Sequence, residues 1–175
     1  MSEPMNDIEL HNWYRGRAYI EALGRLELWQ PLERREMVLA RAWGVRVYNT
    51  RYVAPAGMET DGASIPRWWW RVLDPPMFSR LFVGAVIHDA AYGGILRCYD
   101  DERDWLPVER DEADQLLEML GRWNGFPAWK ARLAYLAVHW FGRGPWARGH
   151  AANAGVNLRT LDYSLKTAGP GPSLN

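Results

Sequence analysis

The sequence predicts an α+β fold: a small antiparallel β-sheet in the N-terminal half, followed by a bundle of about three helices. Three observations carry this. Residues 26–66 alternate in a β-like way, clearest in "VRVYNTRYVAP", which is rich in Val and Tyr. Residues 77–142 carry apolar positions at helical spacing in three stretches. The two kinds of pattern follow one another instead of alternating, which separates α+β from a parallel α/β design.

The first 25 residues are polar and stand apart as an N-terminal segment. From "LELWQPL" onward the pattern is β-like, with Asn49 as a turn residue and further turn chemistry in "PAGM" and "TDGAS". Pro66, Pro75 and Pro76 fence a tryptophan-rich connector. "MFSRLFVGAVIHDAAY", residues 77–92, predicts a helix whose apolar face holds Phe78, Leu81, Phe82, Ala85 and Val86, ended by the glycines at 93 and 94. Residues 95–107 read as a charged loop. A second helix is expected in "VERDEADQLLEMLGRW", with Leu116, Leu117 and Leu120 inward, and a third in "PAWKARLAYLAVHWF". Residues 26–145 then make one domain, and the Gly-, Pro- and Asn-containing residues 146–175 an extended C-terminal tail.

Composition narrows the function classes. With 175 residues, 48% hydrophobic and 24% charged, the chain is that of a folded soluble domain able to bury a real core. Acidic and basic residues balance at 21 each, so no global field draws nucleic acid, and no nucleic-acid partner is expected. Cys98 is alone, which excludes an intrachain disulfide and a cysteine-rich metal site. The N-terminus has no signal-peptide pattern, and nothing approaches the roughly eighteen apolar residues of a membrane-spanning helix. The expected location is a bacterial host cytoplasm or a phage virion.

The stretch "VGAVIHDAAY" places His88 and Asp89 side by side in an otherwise apolar helix. Leaving a buried polar group unpaired costs about 1–3 kcal/mol, so partners are required. His88 and Tyr92, four residues apart, share a helix face, while Asp89 points about 100° away. The second helix offers Asp111, Glu112 and Asp114, and Asp114 lies nearest its buried edge. If the helices pack antiparallel, Asp114 can orient His88, His88 can take a proton from water, and Asp89 can hold a cation. The same residues also admit a structural reading, with Asp111 as a helix cap, Asp114 in a capping box and the histidine bonded to a backbone carbonyl.

The run "VAPAGMETDGASIPR", then "AVIHDAAY", then "RDEADQLL" resembles a family of uncharacterised phage and bacterial proteins. The resemblance spans about residues 45–120, with Met58 where that family often has phenylalanine. It makes Thr60, Ser64 and Pro66 part of a shared motif. More distantly, a His-Asp-x-x-Tyr helix followed by Ala-Asp is similar to phospholipase A2 domains, above all the disulfide-free ones of parvovirus capsids. That similarity implies His88 as general base, Asp114 as its orienter, Tyr92 as a supporting donor and Asp89 as a calcium ligand. Those enzymes carry a Gly-x-Gly calcium loop where this chain has "TDGASIP", with Gly62 alone. Calcium wants six to eight oxygens. Here Asp61, Asp89 and carbonyls near Gly62 would have to contribute them.

Two functions from different classes follow. One is a phage- or prophage-encoded, metal-assisted ester hydrolase acting on membrane phospholipid, with calcium as cofactor, or zinc or manganese if His88 itself joins Asp61, Asp89 or Asp114 as a ligand. The other is a non-catalytic virion, tail or assembly protein, partnered by phage structural proteins, whose His-Asp-Asp-Tyr cluster is a hydrogen-bonded network. Trp68, Trp69 and Trp70, flanked by Arg67 and Arg71, could contact a membrane interface or a protein partner.

Overall fold

The computed structural model describes residues 19–30, 36–60 and 79–165. Asp61, Gly62, Ser64, Pro66 and the tryptophans 68–70 lie outside these residues, as does most of the polar N-terminal segment.

The fold is α+β, with antiparallel sheets preceding a helical layer. Strands β1 (Ile20–Ala22), β4 (Trp43–Val47), β5 (Thr50–Ala54) and β7 (Arg97–Tyr99) form a four-stranded sheet in the order β1-β4-β5-β7. Strands β2 (Leu28–Trp29), β3 (Met37–Leu39) and β6 (Glu59–Thr60) form a second, three-stranded sheet in the order β2-β3-β6. Every pairing is antiparallel. The β4–β5 hairpin turns at Tyr48 and Asn49, with Tyr48 in the left-handed region at φ 53°. Along β4 the alternation sends Trp43, Val45 and Val47 into the core and leaves Arg46 to pair with Glu21 across the strand at 2.7 Å.

Among the described residues four α-helices follow: α1 (Phe82–Tyr92), α2 (Arg110–Trp123), α3 (Ala128–Phe141) and α4 (Arg143–Asn153). Helix α1 is the centre of the molecule, nine of its eleven residues being buried. One side meets the sheet through Val86, Ile87 and Ala90, against Val45, Tyr52 and Cys98. The other meets α2 and α3 through Ala85, with Leu117, Ala131 and Ala134. This explains why α1 reads as almost continuously apolar and small-residue-rich: it is covered on all sides. Helix α2 is amphipathic by contrast, with Asp111 and Glu112 in its first turn and Arg122 in its last, each matched to the helix dipole.

Small residues set the α1–α2 register. A Cβ on Gly84 would stand 2.7 Å from the Leu117 carbonyl oxygen, and one on Gly121 would stand 2.7 Å from Leu81 Cδ1. Leu81 therefore meets Gly121 and Gly84 meets Leu117, the ladder of two antiparallel helices in close contact. One further turn along it, His88 meets Asp114.

Three expectations need correction. The charged loop at 95–107 contains β7, because Cys98 is apolar and pairs with Tyr52, while Arg97 and Tyr99 stay half-buried at the sheet edge. The tail is not extended from 146: residues 143–153 are helical. Pro145 falls in the first turn of α4, where a missing N–H breaks no helix bond. Its glycines serve close packing, since a Cβ on Gly149 would collide with the Tyr92 carbonyl oxygen, and one on Gly142 with the Tyr92 hydroxyl. Finally, β1 begins at Ile20, inside the segment read as polar, and pairs with β4.

Candidate functional site

Four elements converge at the C-terminal end of α1. Helix α1 supplies His88, Asp89 and Tyr92, α2 supplies Arg110 and Asp114, β6 supplies Thr60, and α4 closes over Tyr92. His88 and Asp114 are fully buried.

Asp114 is the hub. Its Oδ1 accepts a 2.6 Å hydrogen bond from the Tyr92 hydroxyl and stands 3.3 Å from His88 Nε2. Its Oδ2 accepts from Arg110 Nη1 at 2.9 Å, an i to i+4 pair along α2. The same Arg110 nitrogen donates to the His139 carbonyl at 3.1 Å, tying α3 to the cluster. The buried carboxylate is thus both ion-paired and multiply hydrogen-bonded, as a buried charge must be.

His88 stacks on Tyr92 with ring centroids 4.0 Å apart. With the proton on Nε2 it donates to Asp114, and the lone pair resides on Nδ1. Nδ1 is buried without a hydrogen-bond partner, 3.5 Å from Asp89 Oδ1. Burial opposes charge on the imidazole, but the Asp114 bond and the nearby Asp89 carboxylate outweigh it, so the pKa of His88 is raised. Burial and the Asp114 carboxylate push the Tyr92 hydroxyl well up, so it stays a donor.

Asp89 is only slightly exposed and is held on its other oxygen by Thr60, whose hydroxyl donates to Oδ2 at 2.5 Å. It lines a cleft of about 270 Å³ together with Glu36, Glu59, Thr60, Tyr92 and Gly93 from one side and Pro145 and Gly149 of α4 from the other. Three carboxylates line this cleft, and no Lys or Arg is among its described walls. The cleft is therefore acidic, but among the described residues the oxygens of Glu36, Glu59 and Asp89 do not all lie within 4.8 Å of one another.

Among the described residues, another group of ligand atoms lies within 4.8 Å of one another, in Asp111, Asp114 and His139. Arg110 already occupies Asp114 Oδ2 there, so a second cation would meet a guanidinium. His88 is not one of that group.

The structure brings together His88, Asp89, Tyr92, Asp114 and Thr60; Asp61 and Gly62 lie outside the described residues. Sequence reasoning missed Arg110, although its i to i+4 spacing from Asp114 was a readable signal. It also missed Glu36, Glu59 and α4, which reach the cleft by tertiary contact alone. Glu112, weighed as a partner for His88, instead accepts a 2.8 Å bond from the Tyr52 hydroxyl, tying α2 to the sheet. Burial pushes the Glu112 carboxyl above its ordinary value, against the pull of the Tyr52 bond.

Fold and site together define an α+β domain built around an enclosed His-Asp-Tyr cluster beside an acidic cleft. The chain belongs to the family described as Protein of unknown function (DUF1353), which matches residues 37–138. That span runs from β3 to near the end of α3 and contains every member of the cluster. The chain is also similar to the uncharacterized protein y4jT of Sinorhizobium fredii (strain NBRC 101917 / NGR234), 30% identical over 92 residues. The match covers 53% of this chain and 24% of that relative, so the chain spans about a quarter of its length. No solved structure matches. Among the described residues, no helix is long and apolar enough to cross a membrane.

Proposed function

We propose that this protein is a cation-assisted ester hydrolase of the phospholipase A2 type, phage- or prophage-encoded, with His88 as the base that activates water. One observation carries the reading: His88 has Nε2 against a buried carboxylate and Nδ1 without a hydrogen-bond partner, beside a second carboxylate that lines a cleft. A general base requires this polarity, one nitrogen oriented and the other without a hydrogen bond, and Nδ1 is reached from the cleft only past Asp89.

In this reaction His88 Nδ1 takes a proton from water as the water oxygen attacks the ester carbonyl carbon. The imidazolium that forms is stabilised by Asp114, and its proton passes to the departing alkoxide. Tyr92 and Arg110 hold the two Asp114 oxygens, so the carboxylate cannot rotate away from His88. A calcium ion held by Asp89, with Glu59 and Glu36 near, would act as a Lewis acid toward the ester carbonyl.

The test is release of fatty acid from mixed phospholipid micelles, with calcium and with chelator. Wild type should be active only with calcium, and His88→Ala and Asp89→Asn should each lose at least about a hundredfold, the scale of general acid–base catalysis. Inactive wild type under both conditions would overturn the proposal.

A second reading is favoured by the complete burial of His88 and Asp114. On it, the cluster is a hydrogen-bonded network that fixes helix packing in a non-catalytic virion, tail or assembly protein. It predicts no hydrolysis and no thermal response to calcium, zinc or manganese, whereas a site at a hundred times its Kd would gain about 2.7 kcal/mol.

A further inference from the structure

Helix α3 presents an apolar stripe on the side away from the core. Its buried face is Ala131, Ala134, Ala137 and Val138. Trp129, Leu136 and Trp140 recur at spacings of seven and four residues and fall on the opposite side, while Leu133 between them is part-buried against the core. Trp129 and Trp140 are 60% and 64% exposed, and Phe141 beside them is 52% exposed. Two tryptophans that far into solvent on one helix form a patch of the kind that marks an interaction surface.

Charge identifies the occupant. The whole chain balances 21 acidic against 21 basic residues, yet no Asp or Glu occurs anywhere from Gly125 to Leu161. Lys130, Arg132, Arg143, Arg148 and Arg159 all fall in that span. This span therefore carries cations and no acid of its own, although α4 within it also lines the acidic cleft through Pro145 and Gly149. Arg132 is paired with Glu118 of α2 at 3.2 Å, which leaves Lys130 and Arg143 as the cations beside the exposed rings. Indole rings at the edge of an apolar stripe, flanked by cations, are what an anionic bilayer surface accepts: the rings sit at headgroup level and the cations meet the lipid charge.

The geometry points to α3 as a docking face for an anionic lipid bilayer, with Trp129 and Trp140 as the inserting anchors and Lys130 and Arg143 as the electrostatic contacts. This proposal does not depend on whether His88 is catalytic. If the hydrolase reading holds, it names where the lipid surface is met.

The test is cosedimentation of the full chain with vesicles of phosphatidylglycerol and phosphatidylcholine, compared with phosphatidylcholine alone. Wild type should bind the anionic vesicles, with binding weakened by salt. Trp129→Ser/Trp140→Ser should lose on the order of tenfold in partitioning, and Lys130→Gln/Arg143→Gln should lose the preference for phosphatidylglycerol. Trp129, Trp140 and Arg143 are exposed and Lys130 part-exposed, and unchanged circular dichroism and Tm confirm that the variants fold. His88→Ala should bind as wild type does, which separates this proposal from the catalytic one. Failure of wild type to bind phosphatidylglycerol vesicles, or equal binding by the tryptophan variant, overturns it. So does a dimer seen by light scattering that the tryptophan variant abolishes while vesicle binding is absent, which would assign the face to a second copy.

Discussion

Gly84 and Leu117 touch backbone to backbone: a Cβ on Gly84 would lie 2.7 Å from the Leu117 carbonyl oxygen. This contact is one turn from the place where His88 meets Asp114, and it sets how closely α1 and α2 approach. The hydrogen bonds of the cluster are therefore a consequence of a glycine four residues earlier.

Gly84→Ala should destabilise the protein although alanine is the better helix former. The intrinsic gain for Gly to Ala within a helix is about 1 kcal/mol. Overpacking against a backbone oxygen costs about 1–3 kcal/mol, and neither helix can yield without moving the other. Chemical denaturation should show a net loss, with the His88–Asp114 distance opened. A variant as stable as wild type, or more so, would mean that the helices separate freely and that the register is set elsewhere.

Tyr92 and Arg110 hold opposite oxygens of Asp114, and removing either should cost more than an ordinary surface change. Tyr92→Phe deletes a 2.6 Å bond to a buried carboxylate. Hydrogen bonds to charged groups contribute about 1.5–3 kcal/mol. Arg110→Ala leaves the carboxylate buried without its cation, a change worth about 3–5 kcal/mol, so it should be the more damaging of the two. Urea midpoints for the two variants decide the order. The reverse order would show that solvent compensates the lost guanidinium, which is part-exposed.

The order of sheet and helices, and the extents of the later helices, were legible because their signals are local. Helical spacing, the glycines after Tyr92 and Pro127 before α3 mark boundaries within a few residues of where they fall. The contact of His88 with Asp114 was legible for a related reason: each residue lies at the buried edge of its own helix, and the two helices run antiparallel. What stayed hidden was tertiary. Cys98 and its neighbours look like loop because three residues at a sheet edge have too short a period to register, and they are held by Tyr52 from far away in the chain. Helix α4 looks like tail because Gly142 before it and its Pro145 and Gly149 read as helix breakers, while the close approach of the two glycines to Tyr92 exists only in the packed molecule. Glu36 and Glu59 reach the cleft from the β-layer with no motif to announce them.

Glu112 gives a pH test that is independent of the cleft. It lies between α2 and the sheet, bonded to Tyr52 and facing Cys98, with Glu109 as its nearest like charge. Burial raises its pKa in the folded state, so the folded protein holds this proton to higher pH than the unfolded chain does, where the carboxyl titrates near about 4.3. Stability contributed by the protonated group is then fully present below that unfolded value and lost as pH rises through the folded one. Glu112→Gln mimics the protonated carboxyl and keeps an oxygen for the Tyr52 hydroxyl to bond. Wild type should therefore match the variant most closely at the acid end and fall behind it as pH approaches neutrality. Thermal midpoints of both proteins at several pH values between the two ends measure this directly. A difference that stays constant with pH would show that Glu112 titrates as it does in the unfolded chain, and that the Tyr52 bond fully offsets its burial.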